Sequence, residues 1–276
     1  MSLKISDIYR PITGQPFRCS DIYREYAPCE ALGPYIRCFW SSEENADEAG
    51  KNSLVIPDTC TDIIIDTDTA ESIYCGINDC PQKAVIKRSK PVSVFAVRFY
   101  CHTAVLFSEG GLDGSLNCYM PGENFFGGFA EELARRVSME GDICGRIAAA
   151  EKFLLERVNL SRENESFMNA LYYIISRRGS ADVMELSRYT AYSKRQLERI
   201  FKTYAGVSPK ALSGLIRYQL LWQDILSGGY DPGNAVEKFG YFDQPHMLGE
   251  FRKYHGMNPK NALSAAYREA GIPGDQ

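Results

Sequence analysis

Six residues, Phe201, Lys202, Tyr204, Gly206, Pro209 and Lys210, recur fifty positions later as Phe251, Arg252, Tyr254, Gly256, Pro259 and Lys260. The stretches SKRQLERIFKTYAGVSPKAL from Ser193 and DQPHMLGEFRKYHGMNPKNA from Asp243 keep their aromatic, basic, glycine and proline positions while most others change. A period of this length is the signature of a duplicated supersecondary unit. The chain must therefore fold so that one small unit is built twice.

The repeated residues are helix punctuation. Ser193 is a good N-cap, and Gln196 three residues later completes a capping box, so a helix starts there. Leu197, Ile200, Phe201 and Tyr204 fall at helical spacing and face a core, which leaves Lys194, Arg195, Glu198, Arg199 and Lys202 outward. Gly206 stops the helix as a C′ residue, and Ser208-Pro209 opens the next with an N-cap and a proline at its first position. Asp243, Gly256 and Asn258-Pro259 repeat the arrangement. A short amphipathic helix ending in a tight turn precedes each unit, DVMELSRYTAY before Ser193 and NAVEKFGYF before Asp243. Helix, turn, helix is the pattern whose second helix can enter a DNA major groove. One such corner is weak support, because many helical proteins contain one; two in one chain are far more specific.

The segment between the units, residues 209–227, reads PKALSGLIRYQLLWQDILS, with Leu212, Leu215, Ile216, Leu220 and Leu226 forming an apolar stripe. As a helix it spans roughly 28 Å, which approaches the ~34 Å between successive major grooves on one face of DNA. One polypeptide of this design presents two helices to neighbouring grooves.

A length of 276 residues with 45% apolar and 24% charged residues favours two globular domains. The polar stretch SRENES at 161–166 is the best boundary, giving an N-terminal domain over 1–160 and a C-terminal domain over 161–276 with helix-turn-helix units at about 181–205 and 233–255. Residues 161–276 hold 15 Lys and Arg against 12 Asp and Glu, or +3, which leaves 16 against 23, or −7, for residues 1–160. The overall charge of −4 thus hides a modestly basic C-terminal half, a difference that ordinary surface variation also produces. No apolar run reaches the ~18 residues of a membrane span and the N-terminus lacks a signal-peptide pattern, so a cytoplasmic location without a membrane partner is expected.

The fold class expected is α+β. From Leu54 to Tyr100 the strings LVIP, TDIIIDTD, SIYCGI, AVIK and VSVFAVRFY read as short strands, with PYIRCFW at 34–40 as an earlier one, which implies a mainly antiparallel sheet or small barrel. Residues 110–128 are glycine-rich and read as irregular, and helices follow at 129–137 and 144–158. The second carries Ile147, Phe153, Leu154 and Val158 on one face, for packing on the sheet or for a dimer seam. Beyond residue 166 the chain reads as all-α with about seven helices, the two units being joined by a long one.

All nine cysteines lie before residue 145 and none forms a CxxC pair, so neither a metal site nor a disulfide framework is expected. They read as small buried hydrophobes, with a thiol sensor among them left open. With three histidines in the chain and only His102 in the N-terminal domain, little is available for metal or triad chemistry. Cys101 and His102 are adjacent in sequence, and neighbours on a strand point to opposite faces, so a nucleophile pair is not expected unless the chain turns there. Neither a catalytic site nor a bound cofactor is expected. Tyr35, Phe39, Trp40, Phe95 and Phe99 fit sheet core better than a ligand pocket.

In its order of elements and in the strings YSKRQLERIFK, GVSPKAL and FGYFDQPHMLGEFRKYHGMNP, the chain resembles the AraC/XylS family of bacterial transcription regulators over about residues 165–265. PYIRCFW, VIPDTCTDIII and FAVRFY are more loosely similar to a sensor-like region attached to one subgroup. The resemblance implies double-stranded promoter DNA as partner, with RNA polymerase, a small-molecule effector and a second copy of the chain as further partners. It implies that Arg195, Glu198 and Arg199 read base edges, while Lys194 and Lys202 lie near phosphates. Arginine can donate to guanine O6 and N7 together, and glutamate can accept from cytosine N4. In the second unit Pro245 and Gly249 stand at contact positions, the latter where many members carry arginine. Gln244 and His246 remain as polar contacts there, with Arg252 and Lys253 for the backbone, although His246 also fits a capping group at the turn. The two units are therefore expected to be unequal. Ser187 and Val236 replace the small alanine the family prefers between its paired helices. An enzymatic or redox N-terminal domain, or one acting only through a protein partner, is the alternative.

Overall fold

The computed structural model describes residues 4–13, 23–44, 54–83 and 92–269. After a short helix α1 (Ile5–Ile8), six strands form one antiparallel sheet: β1 (Tyr23–Tyr26), β2 (Ile36–Glu44), β4 (Cys60–Asp66), β5 (Ser72–Cys75), β7 (Val92–Tyr100) and β8 (Tyr119–Pro121). Their order across the sheet is β1-β2-β7-β4-β5-β8, and β3 (Leu54–Val55) pairs with β6 (Gln82–Lys83) in a separate ribbon. The strand expected at 84–87 lies outside the described residues. β1, β6, α1 and α2 (Glu123–Phe126) were not legible, nor was β8, which forms inside the stretch expected to be irregular. Gly122 N–H donates to Ser72 O at 2.9 Å there, and Gly127 turns the chain at φ +50 between α2 and the next helix.

The period-two alternation of the central strands sorts their side chains onto two faces. Phe39, Ile63, Ile65, Phe95, Val97 and Phe99 point one way, into a core closed by α3 (Gly128–Ser138) and α4 (Ile143–Arg157). Phe153 and Leu154 of α4 are fully buried in that core, and Ile147 and Val158 pack at its margin, so this helix face lies on the sheet. The opposite face carries Cys38, Trp40, Val94 and Ala96, together with a buried ion-pair network. There Arg98 makes a fork to Asp62 at 2.8 and 2.9 Å and reaches Asp58 at 3.3 Å, while Trp40 Nε1–H donates to Asp62 at 3.2 Å. Removing one partner from such a network strands a buried charge. Of the five aromatics read as core, Phe39, Phe95 and Phe99 are fully buried, whereas Trp40 faces the ion pairs and Tyr35 is half-buried.

The C-terminal half is helical: α5 (Glu165–Ser176), α6 (Val183–Thr190), α7 (Lys194–Ala205), α8 (Pro209–Leu226), α9 (Pro232–Lys238), α10 (Gln244–His255) and α11 (Pro259–Glu269). The apolar residues expected along α8 all pack in or against the helical core, and further residues join them. Leu212, Leu215 and Ile216 are buried, but Leu220 and Leu226 are only partly so, and Tyr218, Gln219, Leu221, Trp222 and Ile225 are buried around them. The cause is that α8 is covered on more than one side, by both repeated units and by the N-terminal segment.

That covering ties the halves together. Ile5, Tyr9, Ile77 and Cys101 belong to the same core as the C-terminal helices. Gln219, fully buried on α8, accepts from Ile12 N–H at 2.8 Å and donates to Pro57 O at 2.6 Å, and Gln223 donates to Arg10 O at 2.8 Å. A buried amide costs free energy unless its bonds are made, so Gln219 favours this one docking. At the far end of α7, Leu112 N–H donates to Thr203 O at 2.8 Å, and Tyr204 packs against the cores of both halves. No helix among the described residues is long and apolar enough to cross a membrane.

Candidate nucleic-acid interface

The first unit is α6, a tight turn and α7. Asp182 and Glu185 form a capping box at the start of α6, and Ala191 in the left-handed region, φ +58, reverses the chain after it. Ser187 Oγ donates to Tyr192 O across the turn, so the hydroxyl that stands in for the family's alanine is bonded within the corner. Ser193 and Gln196 then form the expected capping box, and Gly206 closes α7 at φ +71. Leu197 and Phe201 are buried, Phe201 edge-on to Phe167 of α5 at 5.0 Å. The outward face presents Lys194, Arg195, Arg199 and Lys202 exposed and Glu198 half-buried, all within three turns of one helix.

The second unit repeats this construction with α9 and α10. Gly240 turns at φ +65, Asp243 caps His246 N–H at 2.7 Å, and Gly256 closes α10 at φ +80. Met247 and Phe251 are buried where Leu197 and Phe201 are in the first unit. Val236, half-buried, packs at the margin of the helical core. Gln244, His246, Arg252 and Lys253 are exposed, as are Pro245 and Gly249. A Cβ added at Gly249 would meet nothing within 4 Å, so no packing demand explains the missing side chain. His246 Nδ1 accepts from Phe242 N–H at 3.4 Å, which is the capping arrangement, and the ring stands edge-on to Tyr241 at 5.5 Å.

Both second helices are fixed to α8, whose 18 residues span about 27 Å. Ser208 caps α8 through Ala211 N–H at 3.1 Å, immediately after α7. On the other side Arg217 makes a fork to Glu250 at 2.8 and 2.5 Å while its guanidinium lies 4.4 Å from the centre of the Tyr241 ring. Trp222 and Tyr218 stand edge-on to Phe251 at 5.9 and 5.5 Å. Sequence reasoning missed the Arg217–Glu250 clamp: an ion pair 33 residues apart leaves no local pattern.

Residues 186–265 match a family described as a helix-turn-helix domain. The C-terminal region is an AraC-type helix-turn-helix domain. Residues 24–113 match a domain of unknown function, DUF6597, which covers most of the sheet. No curated protein matches the chain. Among solved structures, a lysine-to-alanine variant of apo ToxT from Vibrio cholerae shares 10% identity over 83% of this chain and 97% of its own, with a TM-score of 0.41. A second ToxT structure from Vibrio cholerae shares 10% identity over 86% and 99%, with a TM-score of 0.40. Those superpositions are loose; the family match and the paired units of the AraC-type domain carry the assignment.

Several thiols of the N-terminal half are buried. Burial pushes Cys38, Cys75 and Cys101 up to about 12, so each stays protonated, and buried thiols of this kind are poor nucleophiles. His102, in a turn after β7, is pushed down to about 3 by burial. Among the described residues no group of three or more His, Cys, Asp or Glu is placed to hold a metal ion.

Proposed function

We propose that the chain reads a specific promoter site mainly with α7, with Arg195, Glu198 and Arg199 on base edges and Lys194 and Lys202 on phosphates. In this reading α10 anchors the complex in the neighbouring groove through Gln244, His246, Arg252 and Lys253. The observation that carries it is the free basic face of α7 set beside a second helix of the same build on one shared helix α8. Recognition helices enter the major groove, and arginine supplies the forked donor that guanine accepts.

Residues 1–160 act as the sensing domain and 161–276 as the DNA-binding domain. The N-terminal domain touches α7 at Thr203 and α8 at Gln219, so a change in its shape has a mechanical route to the reading helix. The signal is a small-molecule effector or a partner such as RNA polymerase or a second copy of the chain, the protein acts in the cytoplasm, and no catalysis or cofactor is involved. The raised Cys38, Cys75 and Cys101 thiols weigh against a redox signal through those residues.

The test is selection of binding sites by the full chain from random DNA. Arg195→Ala should relax the preference at one or two base pairs and cost about 1–3 kcal/mol on the selected site. Lys202→Ala should weaken binding to all sequences alike and reduce the salt slope by about 1. If no sequence is enriched and no binding occurs at low salt, the reading fails.

A further inference from the structure

Phe242 is 88% exposed, more than any other large hydrophobic residue described; the next, Met139, is 73% exposed and lies between α3 and α4, far along the chain from both units. It occupies the turn of the second unit, one residue before the Asp243 cap of α10. The repeat provides an internal control, because Tyr192 holds the matching place before Ser193. Tyr192 is half-buried and folded back onto α5, its hydroxyl 2.7 Å from Ser166 Oγ. Phenylalanine has no hydroxyl to make such a bond, and Phe242 stands out into solvent instead.

The groups around Phe242 suit an apolar surface better than a phosphate. A helix N-terminus holds phosphate through free backbone N–H groups. In α10, Pro245 has no N–H, His246 N–H is taken by the Asp243 carboxylate at 2.7 Å, and that carboxylate repels an anion. Phe242 N–H is itself directed to His246 Nδ1 at 3.4 Å. In α7 the cap is the neutral Ser193, and Lys194 and Arg195 follow it. The two units thus meet DNA with opposite chemistry at the same point: cationic in the first, apolar and locally acidic in the second.

Resting on the reading of α7 and α10 as groove-facing helices, we propose that Phe242 packs on a thymine methyl group in the second half-site and gives that unit its sequence preference. The residues at the start of a recognition helix are the ones that approach base edges. On the major-groove floor thymine alone projects an apolar group, the C5 methyl, and phenylalanine is a side chain that contacts it. With Gly249 offering no side chain and Pro245 no donor, this contact is the part of the second unit that distinguishes one base from another by shape and hydrophobicity.

The test uses the full chain and the site it selects from random DNA, with each thymine of the second half-site replaced in turn by deoxyuridine, which lacks only the methyl. One position should lose about three- to fivefold in affinity, as expected for one buried methyl. Phe242→Ala should lose a similar factor on the thymine site and become indifferent to deoxyuridine there, while Phe242→Leu keeps most of the difference. Arg195→Ala should leave the deoxyuridine effect intact. Because Phe242 is exposed, these variants should keep the wild-type melting temperature, which is checked alongside. The proposal is overturned if no thymine is sensitive, if Phe242→Ala remains sensitive at the same thymine, or if that variant changes only self-association in sedimentation. Failure of the wild-type chain to select any site would instead sink the DNA-reading assignment itself, and this inference with it.

Discussion

The two helix-turn-helix units are the same construction with different attachments and different exposed residues. Each second helix has 12 residues, a fully buried phenylalanine at Phe201 or Phe251, an oxygen cap at Ser193 or Asp243, and a left-handed glycine at Gly206 or Gly256. They differ in what grips them. Gly206 is buried against the N-terminal half, where an added Cβ would lie 2.0 Å from Ser115 Oγ and 2.9 Å from Leu112 O; Gly256 is exposed. The second unit is held to α8 by Arg217 and Glu250 and by Tyr218, whose hydroxyl lies 2.8 Å from His255 Nδ1. The repeated residues preserve the shape of the unit, and the unrepeated ones decide its attachments and its exposed chemistry. On this comparison the first unit is the one whose closing glycine is packed against the N-terminal half.

The largest way to break the difference is at the C′ glycines. Gly206→Ala should cost about 3 kcal/mol or more, because strain at φ +71 adds to a collision with the Ser115 loop. Gly256→Ala should cost only about 1 kcal/mol, for strain alone. Thermal or urea unfolding of both variants measures the gap, and equal losses would mean that the grip on the first unit has little energetic weight.

Acid should separate the units next. His255 sits where the first unit has Ala205, and burial pushes it down to about 4. The unfolded chain takes up a proton near 6.5 that the folded one refuses until about 4, so stability is full above about pH 6.5 and falls as pH drops towards 4. By pH 5 the loss from His255 is on the order of 2 kcal/mol, and His102, outside both units, adds a loss of similar size. Amide hydrogen exchange compared at a single pH should show α10 losing protection relative to α7 between pH 7 and pH 5. A uniform loss across both helices would contradict a local origin.

The smallest expected effect fills a gap. Gly249→Arg should raise helix stability by about 1 kcal/mol, because the position is exposed and interior to α10 and has open space at Cβ. It should also add a guanine preference to the second half-site in a fresh selection. No change in that half-site would show that α10 lies too far from the base edges for an added side chain to reach them.

The helical half was legible because its signals are local. Ser193 with Gln196, Ser208-Pro209, Gly206 and Gly256 each specify a helix end within four residues, and each acts there as the sequence implies. The central strands β2, β4, β5 and β7 were legible from their β-branched and aromatic runs. The edge strands β1 and β8 were not, since four and three residues are too few to display an alternation. The docking of the halves was hidden for another reason. Gln219 looks like any polar position on a helix, and only the fold brings Ile12 and Pro57, 207 and 162 residues away in sequence, to its amide. The exposure of Phe242 is not legible, because it is a property of the turn rather than of the string.

The central claim, one scaffold built twice but reading sequence unequally, is tested most directly by the base preferences of the full chain in a random-site selection. The account predicts two half-sites about one helical turn apart. One should carry strong preferences that Arg195→Ala and Arg199→Ala relax, and the other a weak preference confined to a thymine. Two half-sites of equal information, or strong preferences that survive both arginine substitutions, would contradict it.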